Sequence, residues 1–379
     1  MNQLDRIKKL KKIIIDLHDG KDIEDVKREF KESFENISAD QIAQIEQELI
    51  EKGDLTPEQI TKLCDVHLSV FKEALPANRT EETSGHPFYT YQKENKLARK
   101  LIQESREKFR PLKLMKLAQI EIHYTRLENQ LFPILESKGF SGPCSIMWAK
   151  HDDIRKMIKE RDTKMMDELL NAIEEMIDKE EKILFPVALE KLSDDDWARV
   201  KQGEEEIGFA FGIKPGNEWK PMTIRGIHSI EIRTTDLDKE KLNLNVGKLT
   251  VNQINRIFMH LPVDISFVNE KDEVMYYSDI KDRIFPRSPA VIGRKVQNCH
   301  PPKSQHIVNR ILEAFKSGEK EVAEFWMDIN GIFVHIRYFA IRDERGKYVG
   351  TLEVSQDITH IRKIAGQRRL LDWNNENKS

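Results

Sequence analysis

Apolar residues recur at helical spacing through the first 213 residues and alternate at strand spacing in much of the remainder. In the segment that begins at Ser38, for example, Ile42, Ile45 and Leu49 lie three to four residues apart. Such spacing places the three side chains on one face of a helix. The pattern predicts a small helical domain over residues 1–76.

Four longer helical segments with short connections follow this first domain. They cover approximately residues 86–110, 112–139, 146–161 and 164–191. Consecutive helices with short connections are typical of an antiparallel bundle. We therefore predict a four-helix bundle over residues 84–192.

The pattern changes again in the last third of the chain. Residues 193–248 contain several Gly and Pro residues and are predicted to be a connector. Residues 249–365 predict a helix, two strands, a helical middle and three further strands, with Asn330-Gly331 as a hairpin turn. A polar tail, 366–379, follows. The predicted fold is mainly α, followed by an α+β domain with an antiparallel sheet.

Composition narrows the classes of partner. The 379 residues include 62 Lys and Arg against 65 Asp and Glu, a net charge of −3, so no basic footprint for nucleic acid is present. No apolar run approaches the roughly 18 residues of a membrane span, and the N-terminal apolar run is too short for a signal peptide. The three cysteines show no CxxC spacing. We expect a soluble, cytoplasmic protein that binds neither nucleic acid nor membrane.

An internal near-repeat is the most informative motif. HYTRLENQLFP begins at His123, and MIDKEEKILFP begins 53 residues later at Met176. Both copies end in Phe-Pro, and both carry a glutamate five residues after their start, Glu128 and Glu181. Bundles in which facing helices carry His and Glu inward build metal sites. The repeat therefore predicts two equivalent helices that contribute metal ligands.

Histidines also occur in the other two helical segments, at His86 and His151. Together these residues resemble the hemerythrin-like HHE cation-binding family over about 84–190. That family holds a pair of non-haem irons that bind oxygen or related ligands. The resemblance implies four metal ligands: His86, His123, His151 and Glu180.

The sequence departs from that family at three positions. Arg155 stands where a second histidine is expected, Met176 replaces another histidine, and Leu127 replaces a carboxylate. The remaining nitrogen and oxygen donors suit iron, manganese or zinc. A di-iron site, a single metal ion, an asymmetric pair, and haem with His and Met176 as axial ligands all stay open.

Helix geometry bears on the two glutamates of the repeat. A residue five positions along an α-helix points about 140° away from its predecessor. Glu128 would therefore join His123 only if the helix is locally distorted, for instance by a π-bulge. Glu128 and Glu181 are candidate ligands on that condition, and otherwise carboxylates in salt bridges or in solvent.

The flanking regions resemble two further families. Residues 5–75, with the motifs LHDG and LCDVH, resemble a bacterial and archaeal domain of unknown function that precedes hemerythrin-like modules. Residues 249–365 resemble a PAS sensor domain, and the segment IFPRSPAVIGRKVQNCHPPKS matches the PAS variant found beside such modules. In that segment Cys299 and His300 are candidate ligands for haem or a metal, or parts of a plain loop.

We therefore expect a cytoplasmic sensor or regulatory protein. Non-haem iron in the bundle would respond to oxygen, nitric oxide or redox state, and the PAS domain would relay the response. The expected partners are a small gaseous or redox ligand, a downstream protein, and a second copy bound through PAS. The alternatives are a non-haem iron enzyme that reduces peroxide or nitric oxide, and a haem-binding protein.

Overall fold

A computed structural model describes residues 83–107, 111–160, 165–221, 241–280, 283–329 and 331–367, with short stretches between 8 and 29. The chain divides into two compact units. One unit comprises Met1–Thr234 and Pro286–Val308, and the other comprises Thr235–Phe285 and Asn309–Ser379. Most of the predicted N-terminal domain and of the polar tail lies outside the described residues.

The first unit is a helical bundle, as the pattern of apolar residues predicts. Its helices are α1 Pro87–Glu107, α2 Pro111–Leu117, α3 Ile120–Arg126, α4 Phe132–Ser137, α5 Ser141–Glu160, α6 Met166–Lys179 and α7 Phe185–Lys191. Their apolar faces meet in one core, in which Leu131, Phe132, Ile173 and Leu184 are fully buried. Burial of these faces stabilises the bundle.

Two π-helical turns interrupt these helices. The first, Leu127–Leu131, joins α3 to α4, and the second, Glu180–Leu184, joins α6 to α7. Each turn is followed by the Phe-Pro pair of the repeat, and Pro133 and Pro186 have no N–H to continue an α-helical ladder. The wider turn lets the helix continue past the proline. The distortion that the sequence made a condition for Glu128 is thus present in both copies.

The helical unit continues beyond residue 192, where the sequence predicted a connector. Helices α8 Asp194–Lys201 and α9 Glu204–Ile207 follow, and Ser193 and Asp196 form a capping box at the start of α8. Trp197, Val200 and Phe211 pack into the bundle core. The sequence pattern did not predict this packing, because the stretch is rich in acidic residues and has few apolar ones.

Residues Pro286–Val308 also belong to the helical unit, although they lie within the predicted PAS range 249–365. They contain two 3₁₀ turns, Pro289–Val291 and Val296–Cys299. Ala290 joins the bundle core. This stretch, which we call the docked segment, is described with the helices that it contacts.

The second unit carries the antiparallel sheet that the alternating pattern predicts. Its elements are β1 Lys241–Asn243, β2 Lys248–Thr250, α10 Val251–His260, β3 Asp264–Asn269, β4 Val274–Tyr277, β5 Val322–Ile329, β6 Ile332–Arg342 and β7 Tyr348–Asp357. Helix α11, Pro302–Ser317, precedes β5 and belongs to this unit from Asn309 onward. Five strands pair in the order β4-β3-β7-β6-β5. Val334 and Ile336, two residues apart on β6, are buried on the same face.

A search of the described helices for membrane spans found none that is both long enough and apolar enough to cross a bilayer.

Candidate metal centre

One buried network of hydrogen-bonded side chains begins at Arg126. Its guanidinium donates to both oxygens of Glu94, at 2.9 and 3.0 Å, and to Glu204 Oε1 at 2.9 Å. Glu94 Oε2 lies 2.7 Å from His123 Nδ1. Because a carboxylate only accepts hydrogen bonds, His123 carries a proton on Nδ1 and directs Nε2 to the other side of the ring. All four groups are almost completely buried.

A second network begins at Arg155 and has the same order of groups: arginine, glutamate, histidine. Arg155 donates to both oxygens of Glu128, each at 2.8 Å. Glu128 Oε1 lies 2.8 Å from Nδ1 of His151, which is fully buried. The first π-helical turn therefore brings Glu128 to a histidine, and that histidine is His151. Such carboxylate partners orient metal-binding imidazoles in known sites.

Glu180, on the second π-helical turn, contacts His123 of the first network. Its Oε2 accepts from Asn95 Nδ2 at 2.8 Å and lies 3.0 Å from His123 Nε2. Three acceptor atoms here have no hydrogen-bond partner among the described residues: Glu180 Oε1, Asn95 Oδ1 and His151 Nε2. A buried polar atom without a partner is costly, so these atoms indicate a site for a donor or a cation.

Two tyrosines complete the surroundings of the histidines. The Tyr124 ring stacks on His151 with centroids 4.0 Å apart, and the Tyr91 ring meets His123 edge-on at 5.4 Å. Both hydroxyl groups are buried and lack a partner within the described residues. Burial raises the pKa of Tyr91 and of Tyr124, which keeps both phenols protonated. The site therefore offers hydroxyl donors as well as acceptors.

The two histidines differ in charge. Burial by itself lowers the pKa of His123, but Glu180 and Glu94 outweigh this effect and raise the pKa to about 9. Burial also lowers the pKa of His151, and there Glu128 does not compensate for it. His123 is thus an imidazolium paired with two carboxylates. His151 is a neutral imidazole whose Nε2 lone pair is available.

The types of donor atom decide which metal ions, and how many of them, these residues suit. Nowhere in the described part of the chain do three or more His, Cys, Asp or Glu side chains stand ready to hold a metal ion. His123 Nε2 and Glu180 are hydrogen-bonded to each other instead, an arrangement that a cation would replace once the proton leaves. Two imidazole Nε2 atoms and one carboxylate are the donor types of non-haem Fe(II) sites. By donor type alone, these residues suit one cation.

A second cation does not fit, because arginines already neutralise the other carboxylates. Both oxygens of Glu94 pair with Arg126, and both oxygens of Glu128 pair with Arg155. The guanidinium of Arg155 lies where the family pattern calls for a histidine. A carboxylate whose two oxygens both pair with an arginine would have to give up those hydrogen bonds to bridge two metal ions.

Two of the predicted ligands lie elsewhere. His86, just before α1, packs between Trp197 and Trp219 at centroid distances of 4.7 and 4.5 Å, and its Nδ1 accepts from the Phe88 backbone. Burial lowers the pKa of His86 to about 4. Glu181 pairs with Arg99 at 2.9 Å and is partly exposed. Neither residue joins the group around Glu180.

The two candidate ligands of the PAS range, Cys299 and His300, lie in the docked segment and contact their own backbone. Cys299 Sγ lies 3.8 Å from Lys295 O, and His300 Nδ1 lies 2.9 Å from Val296 O. Both contacts span four residues and are local. Local contacts of this kind are made by a plain loop, and a haem or metal site at Cys299 and His300 stays a prediction.

Sequence reasoning missed the residues that complete the site: Glu94, Asn95, Arg126 and Glu204. By sequence Glu94, eight residues after His86, is only a reserve ligand, and Arg155 marks the loss of one. A signal was present, because Glu94 and Asn95 lie three and four residues after Tyr91, about one turn along the same apolar helix face. Charged residues on such a face need buried partners.

Comparisons with known proteins agree with this architecture. Residues 10–77 match a family of unknown function (DUF438), residues 86–188 match the hemerythrin HHE cation binding domain, and residues 254–359 match a PAS domain. The chain therefore belongs to the proteins that combine these three domains. A cation-binding domain joined to a PAS domain supports a metal-binding sensor.

Several solved structures are similar to part of the chain. A C-terminal domain from Streptococcus mutans is 34% identical over 34% of this chain and 99% of that chain, with a TM-score of 0.32. A sensory box sensor histidine kinase from Vibrio cholerae is 12% identical over 28% and 90%, with a TM-score of 0.23. A PAS domain from Colwellia psychrerythraea is 19% identical over 29% and 98%, with a TM-score of 0.22. No curated protein matches the chain.

Proposed function

We propose that the protein is a sensor in which one non-haem iron, held by His123, His151 and Glu180, responds to oxygen, nitric oxide or redox state. One observation carries this proposal. Acceptor atoms on Glu180 and His151 lack a hydrogen-bond partner among the described residues, and both belong to fully buried side chains. When bound, iron would supply reversible binding of small gaseous ligands and one-electron redox chemistry.

The protein's own residues define what surrounds such an ion. Glu94 and Glu128 orient the two imidazoles through Nδ1, and each carboxylate is fixed by an arginine. The hydroxyls of Tyr91 and Tyr124 can donate to a small ligand, because both are protonated and unpartnered within the described region. The site excludes water by burial and gives a ligand hydrogen-bond donors.

The decisive experiment measures iron in the full chain after anaerobic addition of Fe(II) and removal of excess metal. We expect about one iron per chain, since the donor set fits one cation. His151→Ala and the isosteric Glu180→Gln should each lose most of the iron. His86→Ala is the matched control and should retain it. Two irons per chain, or an equal loss in the His86 variant, would contradict the proposal.

The sensing step needs its own measurement. Exposure of the iron-loaded protein to oxygen or nitric oxide should change the weak near-ultraviolet absorption and the protease sensitivity of residues 249–365. An intense Soret band would show haem instead. Steady consumption of peroxide or nitric oxide with an electron donor, abolished by Glu180→Gln, would favour the alternative function, a non-haem iron enzyme.

A further inference from the structure

The proline that follows the first π-helical turn removes one helical donor from each of two backbone carbonyls. Pro133 has no N–H, so it cannot bond to Asn129 O as in an α-helix or to Glu128 O as in a π-helix. In the turn itself, the Phe132 N–H bonds to Leu127 O. The Glu128 carbonyl thus has no π-helical donor and the Asn129 carbonyl has no α-helical donor, which leaves both open to donors from outside the helix.

The docked segment supplies both donors. Arg294 Nη1 donates to Glu128 O at 2.9 Å, and Ser288 Oγ donates to Asn129 O at 2.6 Å. Both donor residues are almost completely buried. The docked segment also packs closely against Gly203, since a Cβ added there would lie 3.0 Å from Ser288 Cβ. The segment thus caps the turn that carries Glu128.

Arg294 is itself held rigidly. Its Nε and Nη2 donate to the two oxygens of Glu136 on α4, at 2.8 and 2.6 Å, and Asn298 Nδ2 donates to the same carboxylate at 3.3 Å. The guanidinium also lies over the Trp148 ring at 5.4 Å. A planar guanidinium can make these bonds and still reach Glu128 O, which a lysine ammonium cannot do.

We propose that Arg294 is a positioning residue for the metal centre and, with Ser288, forms a clamp on the first π-helical turn. The clamp holds the Glu128 backbone, Glu128 holds His151 Nδ1, and His151 presents Nε2 to the metal. The clamp lies within residues 254–359, the range that matches the PAS domain. A change in that part of the chain can therefore alter metal affinity without any contact with a metal ligand. This inference rests on the proposed function.

The first test uses the metal-free full chain and hydrogen exchange. Ser288→Ala and Arg294→Lys each remove a clamp bond, and the lysine keeps a positive charge opposite Glu136. We expect about tenfold faster amide exchange in peptides covering 127–137, and no change in peptides covering 180–191, which contain the second turn. Ile292→Ala, an exposed change in the same segment, is the control and should exchange like the wild type. Unchanged exchange at 127–137 would overturn the clamp.

The second test measures Co²⁺ binding by visible absorption on the same proteins. Arg294→Lys and Ser288→Ala should weaken binding by about tenfold or more and shift the ligand-field bands, as loss of an orienting contact does elsewhere. Wild-type affinity in both variants would overturn the clamp while leaving the proposed function intact. Absence of Co²⁺ binding in the wild type, or binding indifferent to Glu180→Gln, would overturn the proposed function, and hydrogen exchange would then decide the clamp alone.

Discussion

The two copies of the repeat, beginning at His123 and at Met176, have the same backbone and bury different carboxylates. In both, a π-helical turn precedes Phe-Pro. In the first copy Glu128 is 3% exposed, whereas its counterpart Glu181 keeps 36% of its side chain in solvent. The second copy buries the preceding residue, Glu180, instead.

What packs against each turn explains the difference. Glu128 faces His151 and Arg155 on α5, and the docked segment covers the backbone of its turn. Glu181 faces Arg99 near the surface of α1. Equivalent positions on equivalent turns thus serve a buried network in one copy and a surface pair in the other. The helix sets the direction of a side chain, and its neighbours set its burial.

The largest effect expected from this comparison is on stability. Glu128→Ala leaves Arg155 and His151 buried without their carboxylate, and should lower the free energy of unfolding by about 3–5 kcal/mol. Glu181→Ala removes an exposed pair and should cost about 0–1 kcal/mol. Urea unfolding of the metal-free chain, followed by tryptophan fluorescence, measures both. Similar losses in the two variants would show that the copies are energetically equivalent.

The arginines that face the two glutamates provide a smaller contrast. Arg155→Ala removes charged hydrogen bonds to Glu128 and should cost about 1.5–3 kcal/mol, while His151 still bonds to the carboxylate. Arg99→Ala removes partly exposed pairs with Asp178 and Glu181 and should cost about 1 kcal/mol or less. The same unfolding assay applies. A greater loss for Arg99→Ala would place the stronger network in the second copy.

The smallest effect expected is a difference in how the coupling energies of the two ion pairs depend on salt. Double-mutant cycles at low salt should give a coupling of about 0.2–1 kcal/mol for Arg99 with Glu181, and this coupling should nearly vanish in 1 M NaCl, where the Debye length is about 3 Å. The coupling of Arg155 with Glu128 should persist, since both groups are largely removed from solvent. Equal salt sensitivity would mean that solvent reaches both pairs.

The sequence by itself determined the local features of this protein. Helical periodicity predicted the bundle, and alternating apolar positions predicted the antiparallel sheet. The five-residue offset between His123 and Glu128 set the condition of a π-bulge. These features depend on residues only a few positions apart, so the local pattern contains the forces that produce them. The pattern also singled out His123, His151 and Glu180, and all three are fully buried.

Only the tertiary structure decided which charged groups meet. His86 lies against Trp197 and Trp219, more than 100 residues away in sequence, instead of entering the site. Arg126 finds Glu204 across 78 residues, and Arg294 finds the Glu128 carbonyl across 166. The net effect of a buried charge depends on partners brought by other elements, and no local pattern specifies them. For that reason the buried networks around His123 and His151 and the contacts of Arg294 emerged from packing, where motif spacing left the partners of these groups open.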